Sequence, residues 1–348
     1  MPSLMKSRPW VALAWVFLLA ACAQPTAAPH AAIAEQTPAK FLRQAVAPGL
    51  YELAYSASQH AVFVASAGRV GEGGETSPSA VLRLDPDTLA VQARIPLPAK
   101  GFGVVLDDAA KRLYVGHAND AAITVIDTAS HRVIGTVPLA EKVPTQDPAG
   151  NTVNSYPHNF REMALDAANH RLYAPGHAFE GSALYVVDTR TLAVDKVVPG
   201  LGFVATGVAL DAHGGRVLAS NLQGQLFAVD TATLAMSRMD GAGDQLLNLA
   251  VDPDGGRVFA TDQGHPEIDA MRKGLGKLAY YTPRGGGNRV VVMNVADGHL
   301  LASLPTGQGP VALLLDATRQ RLGLARNLDD LAGQDPEVTA HFVPRHDY

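Results

Sequence analysis

The sequence predicts an all-β fold, namely a β-propeller built from four-stranded blades, and three observations predict it. A unit of about 40–45 residues recurs along the chain, which is the period of a propeller blade. Each unit contains four short apolar segments rich in β-branched and small residues, as the strands of stacked sheets require. Asp-Ala, Gly-Gly and Asp-Thr turns separate these segments. No unit has a helical period, which excludes a helical solenoid.

The repeat is clearest in three consecutive stretches, residues 101–142, 162–199 and 205–239. Each contains a strand ending in Asp, a turn with a basic residue, a second strand, a variable loop and a third strand ending in Asp-Thr. Residues 247–304 repeat the pattern, and residues 49–96 are a more diverged copy. The chain is therefore predicted to hold five complete blades and the first half of a sixth.

Aspartates mark the strand ends of successive units. The first strands end at Asp107, Asp166, Asp211, Asp252 and Asp316, and the third strands end at Asp85, Asp127, Asp188 and Asp230. An Asp side chain accepts backbone N–H bonds in the turn that follows it. We therefore predict a structural role for these aspartates and no catalytic one.

The repeated pieces resemble those of a known family. The segments RLYV and TVIDT look like YVTN-repeat propellers, specifically the YncE-like periplasmic proteins. Phe41–Val46 followed by Gly49–Glu52 matches the family's opening, and the residues ahead of successive innermost strands also match: Lys100 with Phe102 and Gly103, Arg161 with Glu162, and Thr206 with Gly207. Over about residues 41–322, the resemblance implies a seven-bladed propeller with a central funnel. It implies little about activity, because few members have an established one.

The C-terminal part departs from the repeat. A sixth unit begins at Gly309, but no third strand follows near residue 335, and the tail is predicted to be irregular from about residue 323. About 50 residues of the family fold are then missing at this period. Three explanations remain open, of which we favour the first: truncation, a six-unit ring closed by Phe41–Val46, or completion by a second chain.

The N-terminus predicts an exported lipoprotein with a signal peptide over residues 1–21. Lys6 and Arg8 precede an apolar run, Trp10–Leu19, that is too short to span a bilayer. The run ends in Leu-Ala-Ala before Cys22, which resembles the lipobox of bacterial lipoproteins and implies a lipid on that sulfur. Ala23 in place of Asp favours the outer membrane, facing the periplasm.

Composition limits the kinds of partner and of site that the chain can have. Residues 22–40 are predicted to be a flexible tether, and residues 41–348 the propeller domain. The signal removes Lys6 and Arg8, so 26 basic residues face 33 acidic ones and the net charge is −7. That charge does not favour a nucleic-acid partner. The single cysteine excludes disulfides, zinc–thiolate sites and a thiol nucleophile after lipidation. No later apolar run is long enough for a transmembrane helix.

Three long insertions are predicted to emerge on one face of the propeller, opposite the tight turns. They are Gly68–Ala80, Ala140–Phe160 and Gln263–Asn288. Because long loops on a rigid scaffold build binding surfaces, this long-loop face is the predicted binding face.

Candidate ligand-binding residues are predicted at the mouth of the funnel. They are Phe102, Tyr156, His158, Arg161, Glu162, Thr206 and Asn248. Two interpretations stay open for Arg161: it recognises a ligand together with the aromatic side chains, or it forms an ion pair with Glu162 that closes the channel wall.

Two further groups are weaker candidates. A basic and aromatic flap could contact a glycan or single-stranded nucleic acid, or be a solvated loop; it consists of Arg272, Lys273, Lys277, Tyr280, Tyr281 and Arg284. Weak metal-ligand candidates are His117, His158, His177 and His265, although equivalent positions of neighbouring blades lie too far apart to share one ion. No cofactor is predicted.

The favoured function is therefore an envelope-anchored scaffold that binds a ligand or partner through its long-loop face. The sequence has no Gly-x-Ser-x-Gly elbow, no HExxH motif and no haem-attachment motif. A metal-dependent, lactonase-like propeller enzyme stays an alternative because of Glu162 and Asn248, and single-stranded nucleic-acid binding is another. The expected partners are the membrane, through the lipid, and a protein, glycan or other ligand.

Overall fold

The computed structural model describes residues 44–70, 76–146, 149–239, 241–252, 254–264, 287–306, 309–316, 321–326 and 343–344. All regular structure within these ranges is β-strand, and no helix in them is long and apolar enough to cross a membrane. The signal peptide, Cys22 and the tether lie outside the described residues.

The first two sheets are antiparallel and four-stranded. Sheet 1 contains β1 (Leu50–Ser56), β2 (Ala61–Ser66), β5 (Ala80–Leu84) and β6 (Val91–Pro96), with the hairpin β3 (Arg69–Val70) and β4 (Thr76–Ser77) inserted after β2. Sheet 2 contains β7 (Gly101–Asp107), β8 (Arg112–His117), β9 (Ala122–Asp127) and β10 (Arg132–Pro138). The hairpin β11 (Val143–Gln146) and β12 (Thr152–Ser155) follows it.

The third sheet has an interrupted innermost strand. Its strands are β13 (Asn159–Phe160), β14 (Ala164–Asp166), β15 (Arg171–His177), β16 (Ser182–Asp188) and β17 (Ala193–Gly202). Both β13 and β14 pair with β15, so residues 161–163 leave the ladder between them.

The remaining sheets continue the pattern. Sheet 4 contains β18 (Ala205–Asp211), β19 (Arg216–Asn221), β20 (Leu226–Asp230) and β21 (Met236–Met239). Sheet 5 contains β22 (Leu246–Asp252), β23 (Arg257–Asp262), β24 (Arg289–Asn294) and β25 (Leu300–Pro305). The successive sheets with antiparallel neighbours make the chain a β-propeller, as predicted.

The sixth sheet extends beyond the predicted half blade. It contains β26 (Pro310–Asp316), β27 (Arg321–Arg326) and β28 (Val343–Pro344). The first strand pair therefore continues past residue 323, where the irregular tail was predicted to begin. The third strand of this sheet is β28, where Val343 pairs with Leu322 and Pro344 with Arg321. The repeat would have placed this strand near residue 335.

Apolar side chains fill the spaces between neighbouring sheets. Phe63 and Leu113 are fully buried between sheets 1 and 2, and Tyr114 packs with Tyr185 between sheets 2 and 3. Equivalent clusters join sheets 3 and 4, 4 and 5, and 5 and 6. Each such side chain contributes about 1.5–3 kcal/mol through burial, so apolar packing between the faces of neighbouring sheets stabilises the fold.

The third-strand aspartates have the predicted structural role. Asp127 Oδ1 accepts the N–H groups of Ala129 and Ser130, and Asp230 Oδ1 accepts those of Ala232 and Thr233. Asp85 and Asp188 bind their turns in the same way. The pKa of all four carboxyl groups is lowered, chiefly by the Thr88 hydroxyl bond at Asp85 and by the backbone bonds at the other three, and that of Asp188 falls to about 2.

The first-strand aspartates cap their turns as well. The N–H groups of Ala110, Asn169, Gly214 and Gly255 donate to Asp107, Asp166, Asp211 and Asp252, respectively. The prediction is confirmed for these four, and the side chain of Asp316 lies outside the described set.

The basic residue of the repeat ties one blade to the next. Arg112 Nη1 donates to the Thr189 carbonyl of sheet 3 at 3.1 Å. Arg171 likewise donates to the Thr231 carbonyl of sheet 4, and Arg216 donates to the Ala296 carbonyl of sheet 5 at 3.3 Å. These repeated bonds connect neighbouring blades on the tight-turn face. The long insertions, which differ from blade to blade, lie on the opposite face.

Candidate ligand-binding site at the channel end

The innermost strands share an irregularity close to where they begin, on the long-loop face. Pairing with the second strand shifts register between Leu50 and Leu53 in β1, and between Gly101 and Val104 in β7. The same shift occurs at the start of β18, β22 and β26, and in sheet 3 the strand breaks altogether at residues 161–163. Bulges re-aim side chains and are frequent beside functional sites.

The irregular positions bring six side chains into one connected group, which we call the channel-end cluster. Its members are Tyr51, Glu52, Phe102, Arg161, Glu162 and Asn248. The break in sheet 3 frees the backbone around Arg161 and Glu162 from the ladder. The bulges thus explain why side chains that a regular strand would place between blades meet here.

Arg161 and Tyr51 form the cationic part of the cluster. Arg161 Nε donates to the Tyr51 hydroxyl oxygen at 2.7 Å, and Nη2 donates to the same oxygen. The ring of Tyr51 meets the ring of Phe102 edge-on at 5.2 Å. Burial raises the pKa of Tyr51 to about 12, and the nearby guanidinium lowers it only in part. Tyr51 therefore keeps its proton at neutral pH.

Glu52 and Glu162 form a partly buried carboxyl pair. Glu52 Oε2 accepts the Val104 N–H at 2.7 Å, and the two carboxyl groups hydrogen-bond each other. Burial raises the pKa of both groups, and the charge of Glu162 raises that of Glu52 further. Both carboxyl groups therefore hold their protons to higher pH than a solvent-exposed glutamate does.

Asn248 connects this pair to sheets 5 and 6. Its side chain bonds Glu162, its Oδ1 accepts the Leu313 N–H at 3.2 Å, and its own N–H donates to Thr261 at 3.0 Å. Beside it, the buried Thr206 hydroxyl donates to the Leu247 carbonyl at 3.0 Å. Hydrogen bonds thus run from sheet 1 to sheet 6 around the cluster.

Gly103 lets two inner strands approach each other. A Cβ on this residue would lie 1.9 Å from the Arg161 carbonyl oxygen and 3.2 Å from Glu52 Oε2. Any side chain there would displace the backbone that carries Arg161.

The structure brings together only part of the predicted site. Phe102, Arg161, Glu162 and Asn248 meet in the cluster, and Thr206 adjoins it. Arg161 binds Tyr51, and across the described residues it lies within 4 Å of no carboxylate in an ion pair. The positive charge of Arg161 nevertheless offsets part of the rise that burial causes in the pKa of Glu162.

The other two predicted residues serve the loop that carries them. His158 Nδ1 bonds the Tyr185 hydroxyl at 2.9 Å, and its Nε2 bonds the Gly181 carbonyl at 3.0 Å. The ring of Tyr156 lies 5.2 Å below Lys142 Nζ and packs on the cluster between sheets 2 and 3. These contacts fix the base of the β11–β12 hairpin.

Sequence reasoning did not include Tyr51 and Glu52 in the site. A separation of 110 residues from Arg161 gives no local signal of contact. The available signal was their position in the repeat. They lie at the start of an innermost strand, as Phe102, Thr206 and Asn248 do, but in the most diverged repeat.

The histidines occupy unlike environments. His117 is 1% exposed, and its ring bonds the Lys100 carbonyl at 3.0 Å and the Thr124 hydroxyl at 2.7 Å. Burial lowers the pKa of His177 to about 4, helped by Arg161 and His158. Within the described ranges no group of three His, Cys, Asp or Glu residues could hold a metal ion. His265 and the flap from Arg272 to Arg284 lie outside those ranges.

A buried ion pair anchors the third long insertion. Arg289 Nε donates to Asp262 Oδ2 at 2.8 Å, and Asp262 Oδ1 accepts the N–H groups of Asp244 and Gln245 at 3.2 and 3.1 Å. Asp262 is fully buried. The two strand ends that bound this insertion are therefore held together.

Comparisons with known proteins show which curated proteins the chain resembles. No family model matches the chain. It is 32% identical over 235 residues to the "Uncharacterized protein YncE" of Salmonella typhi, covering 66% of this chain and 63% of that protein. It is 30% identical over 240 residues to the protein of that name from Escherichia coli K12, covering 67% and 64%. The chain is a YncE-like β-propeller protein. The matches span slightly less than two thirds of these relatives' length.

Among solved structures, the YncE-like chain resembles "Kuenenia stuttgartiensis Hydrazine Synthase". The TM-score is 0.48 at 13% identity, with 86% of this chain and 97% of that chain covered. This likeness is too weak to bear on ligand or chemistry.

Proposed function

We propose that this YncE-like chain is an envelope-anchored scaffold that binds a ligand at the channel-end cluster, on the long-loop face. One observation carries the proposal. The innermost strands depart from regular pairing at equivalent positions, and those departures bring a cation, two aromatic rings, a carboxyl pair and an amide together. Irregular backbone repeated at one place on a rigid scaffold is typical of a built site.

Substituting Phe102 by alanine is expected to reduce ligand-induced stabilisation strongly. A ligand that binds the native state at 100 times its dissociation constant stabilises the protein by about 2.7 kcal/mol, which is measurable as a rise in Tm. We expect some fractions of a periplasmic extract to raise the Tm of the wild type by a few degrees, and to raise that of the variant much less.

The matched control is Phe179→Ala, which removes a phenylalanine that is 54% exposed outside the cluster. It is expected to respond as the wild type does. Equal shifts in the Phe102 variant, or no fraction that stabilises the wild type, would contradict the proposed function.

The anchored location is a separate part of the proposal, supported by the N-terminal sequence. Cys22→Ser removes the sulfur that would carry the lipid. We expect the wild type to sediment with the membranes and the variant to move to the soluble periplasmic fraction, because Cys22 is the only cysteine in the sequence and the proposed lipid is attached to it. A variant that still sediments with the outer membrane would disprove the lipid anchor.

A metal-dependent hydrolase is the second candidate, and the meeting of Glu52, Glu162 and Asn248 favours it. Carboxylate and amide oxygens are ligands for hard divalent cations. Stabilisation by Ca²⁺ or Mg²⁺ that is lost in Glu52→Gln, together with turnover of a lactone, would favour this candidate over the binding scaffold.

A further inference from the structure

We propose that the channel-end cluster binds a small organic anion, a carboxylate on an apolar body, and that binding adds a proton to the Glu52–Glu162 pair. This inference rests on the proposed function, because it names the ligand class and the regulation of the same site.

The charge of Arg161 points to an anionic ligand. Its bonds within the described part of the chain go to the neutral Tyr51 hydroxyl, through Nε and Nη2. A guanidinium carries five N–H donors, so those of Nη1 are available to a ligand. Since the Tyr51 oxygen accepts from Arg161, its own proton can be donated as well. Charged donors of this kind bind carboxylates more strongly than neutral ones do.

The aromatic side chains point to an apolar body. Phe102 is half-buried, and its ring packs edge-on against Tyr51 beside the guanidinium. A flat apolar ligand can pack on these rings while its carboxylate meets Arg161. The neutral His177 adds no competing charge on the other side of Arg161, because burial holds its pKa near 4.

The carboxyl pair makes binding sensitive to pH. Glu162 follows Arg161 directly, so an anion on Arg161 brings negative charge close to the pair. Like charge disfavours ionisation, and a proton is then taken up when the anion binds. The charged and titratable groups around the pair are Tyr51, Arg161 and, beyond Arg161, His177. The pair is also bonded by the Val104 N–H, at Glu52, and by the Asn248 side chain, at Glu162.

The sign of the pH dependence follows from the raised pKa values. Both carboxyl groups hold protons to higher pH than free glutamate does, and the bound anion raises their pKa further. Affinity is therefore greatest at low pH and falls as the pair ionises, by at most about tenfold per pH unit for one proton.

The test is isothermal titration calorimetry of the full mature chain with benzoate as the probe, between pH 6 and pH 8. We expect benzoate to bind at least about tenfold more tightly than the neutral benzamide, and more tightly than inorganic phosphate. Repeating the titration in buffers of different ionisation enthalpy is expected to show proton uptake.

Two variants separate the parts of the proposal. Arg161→Gln is expected to weaken benzoate binding at least about tenfold, whereas Arg190→Gln, on the tight-turn face, leaves it unchanged. Glu52→Gln keeps an acceptor for the Val104 N–H and is expected to remove most of the pH dependence. Glu141→Gln, at an exposed glutamate, is its control. Circular dichroism confirms that each variant is folded.

Each outcome tests one part of this proposal. Binding of benzoate without pH dependence overturns the proton coupling. Benzamide or phosphate binding as tightly as benzoate, or no binding of benzoate, overturns the ligand class. The proposed function is judged separately, by whether extract fractions stabilise the wild type and not the Phe102 variant.

Discussion

Gly103→Ala lowers the free energy of unfolding by about 1–3 kcal/mol and separates Arg161 from Tyr51. The new Cβ would lie 1.9 Å from the Arg161 carbonyl oxygen, a backbone atom that can move only with its strand. It would also lie 3.2 Å from Glu52 Oε2. The expected result is a lower urea midpoint with loss of benzoate binding.

Gly116→Ala is the matched control in the same sheet. Its Cβ would lie 3.4 Å from Met163 Cε, the end of an adaptable side chain. Replacing glycine by alanine where space allows stabilises a protein by about 0.4–1 kcal/mol, through the unfolded chain. A Gly103 variant as stable as the Gly116 variant, with benzoate binding intact, would refute the close approach of the two inner strands.

Asp262→Ala lowers the free energy of unfolding by about 3–5 kcal/mol, because it leaves the Arg289 guanidinium without its buried partner. It also removes the acceptor of the Asp244 and Gln245 N–H groups. The strand ends that bound the third long insertion then lose their shared contact. Urea unfolding followed by circular dichroism measures the change.

Two comparisons calibrate this result. Asp262→Asn keeps an oxygen for the two backbone N–H groups and is expected to be less damaging than alanine. Asp195→Ala removes the partner of a surface pair, in which Asp195 is 51% exposed and lies 3.6 Å from Arg171. Its effect is expected to stay below about 1 kcal/mol. A loss for Asp262→Ala as small as that for Asp195→Ala would disprove the structural role of the buried pair.

The fold was predictable because its signals repeat. The aspartates recur at equivalent strand ends, and their turn bonds agree with the prediction. The basic residue of each unit was visible in the sequence, but its partner was not. Arg112 and Arg216 bind carbonyl groups in the next sheet, and a carbonyl leaves no mark on residue identity.

The site was predictable only in part, for a related reason. Glu162 and Asn248 could be placed ahead of innermost strands by their position in the repeat. Their contact with each other, and that of Glu162 with Glu52, depends on bulges and on a strand break that no residue type specifies. His158 was an equally good candidate for ligand binding in the sequence, yet both of its ring nitrogens hydrogen-bond to protein groups, the Tyr185 hydroxyl and the Gly181 carbonyl.

Two backbone amides offer the most direct test of where the ligand binds. The Val104 N–H donates to Glu52, and the Leu313 N–H donates to Asn248, on opposite sides of the cluster. In a benzoate titration followed by amide NMR, these two signals are expected to move. The amides of Ser130 and Thr233, which donate to turn aspartates on the other face, are expected to stay still. Shifts confined to the tight-turn face, with Val104 and Leu313 unmoved at saturation, would contradict a binding site at the channel end.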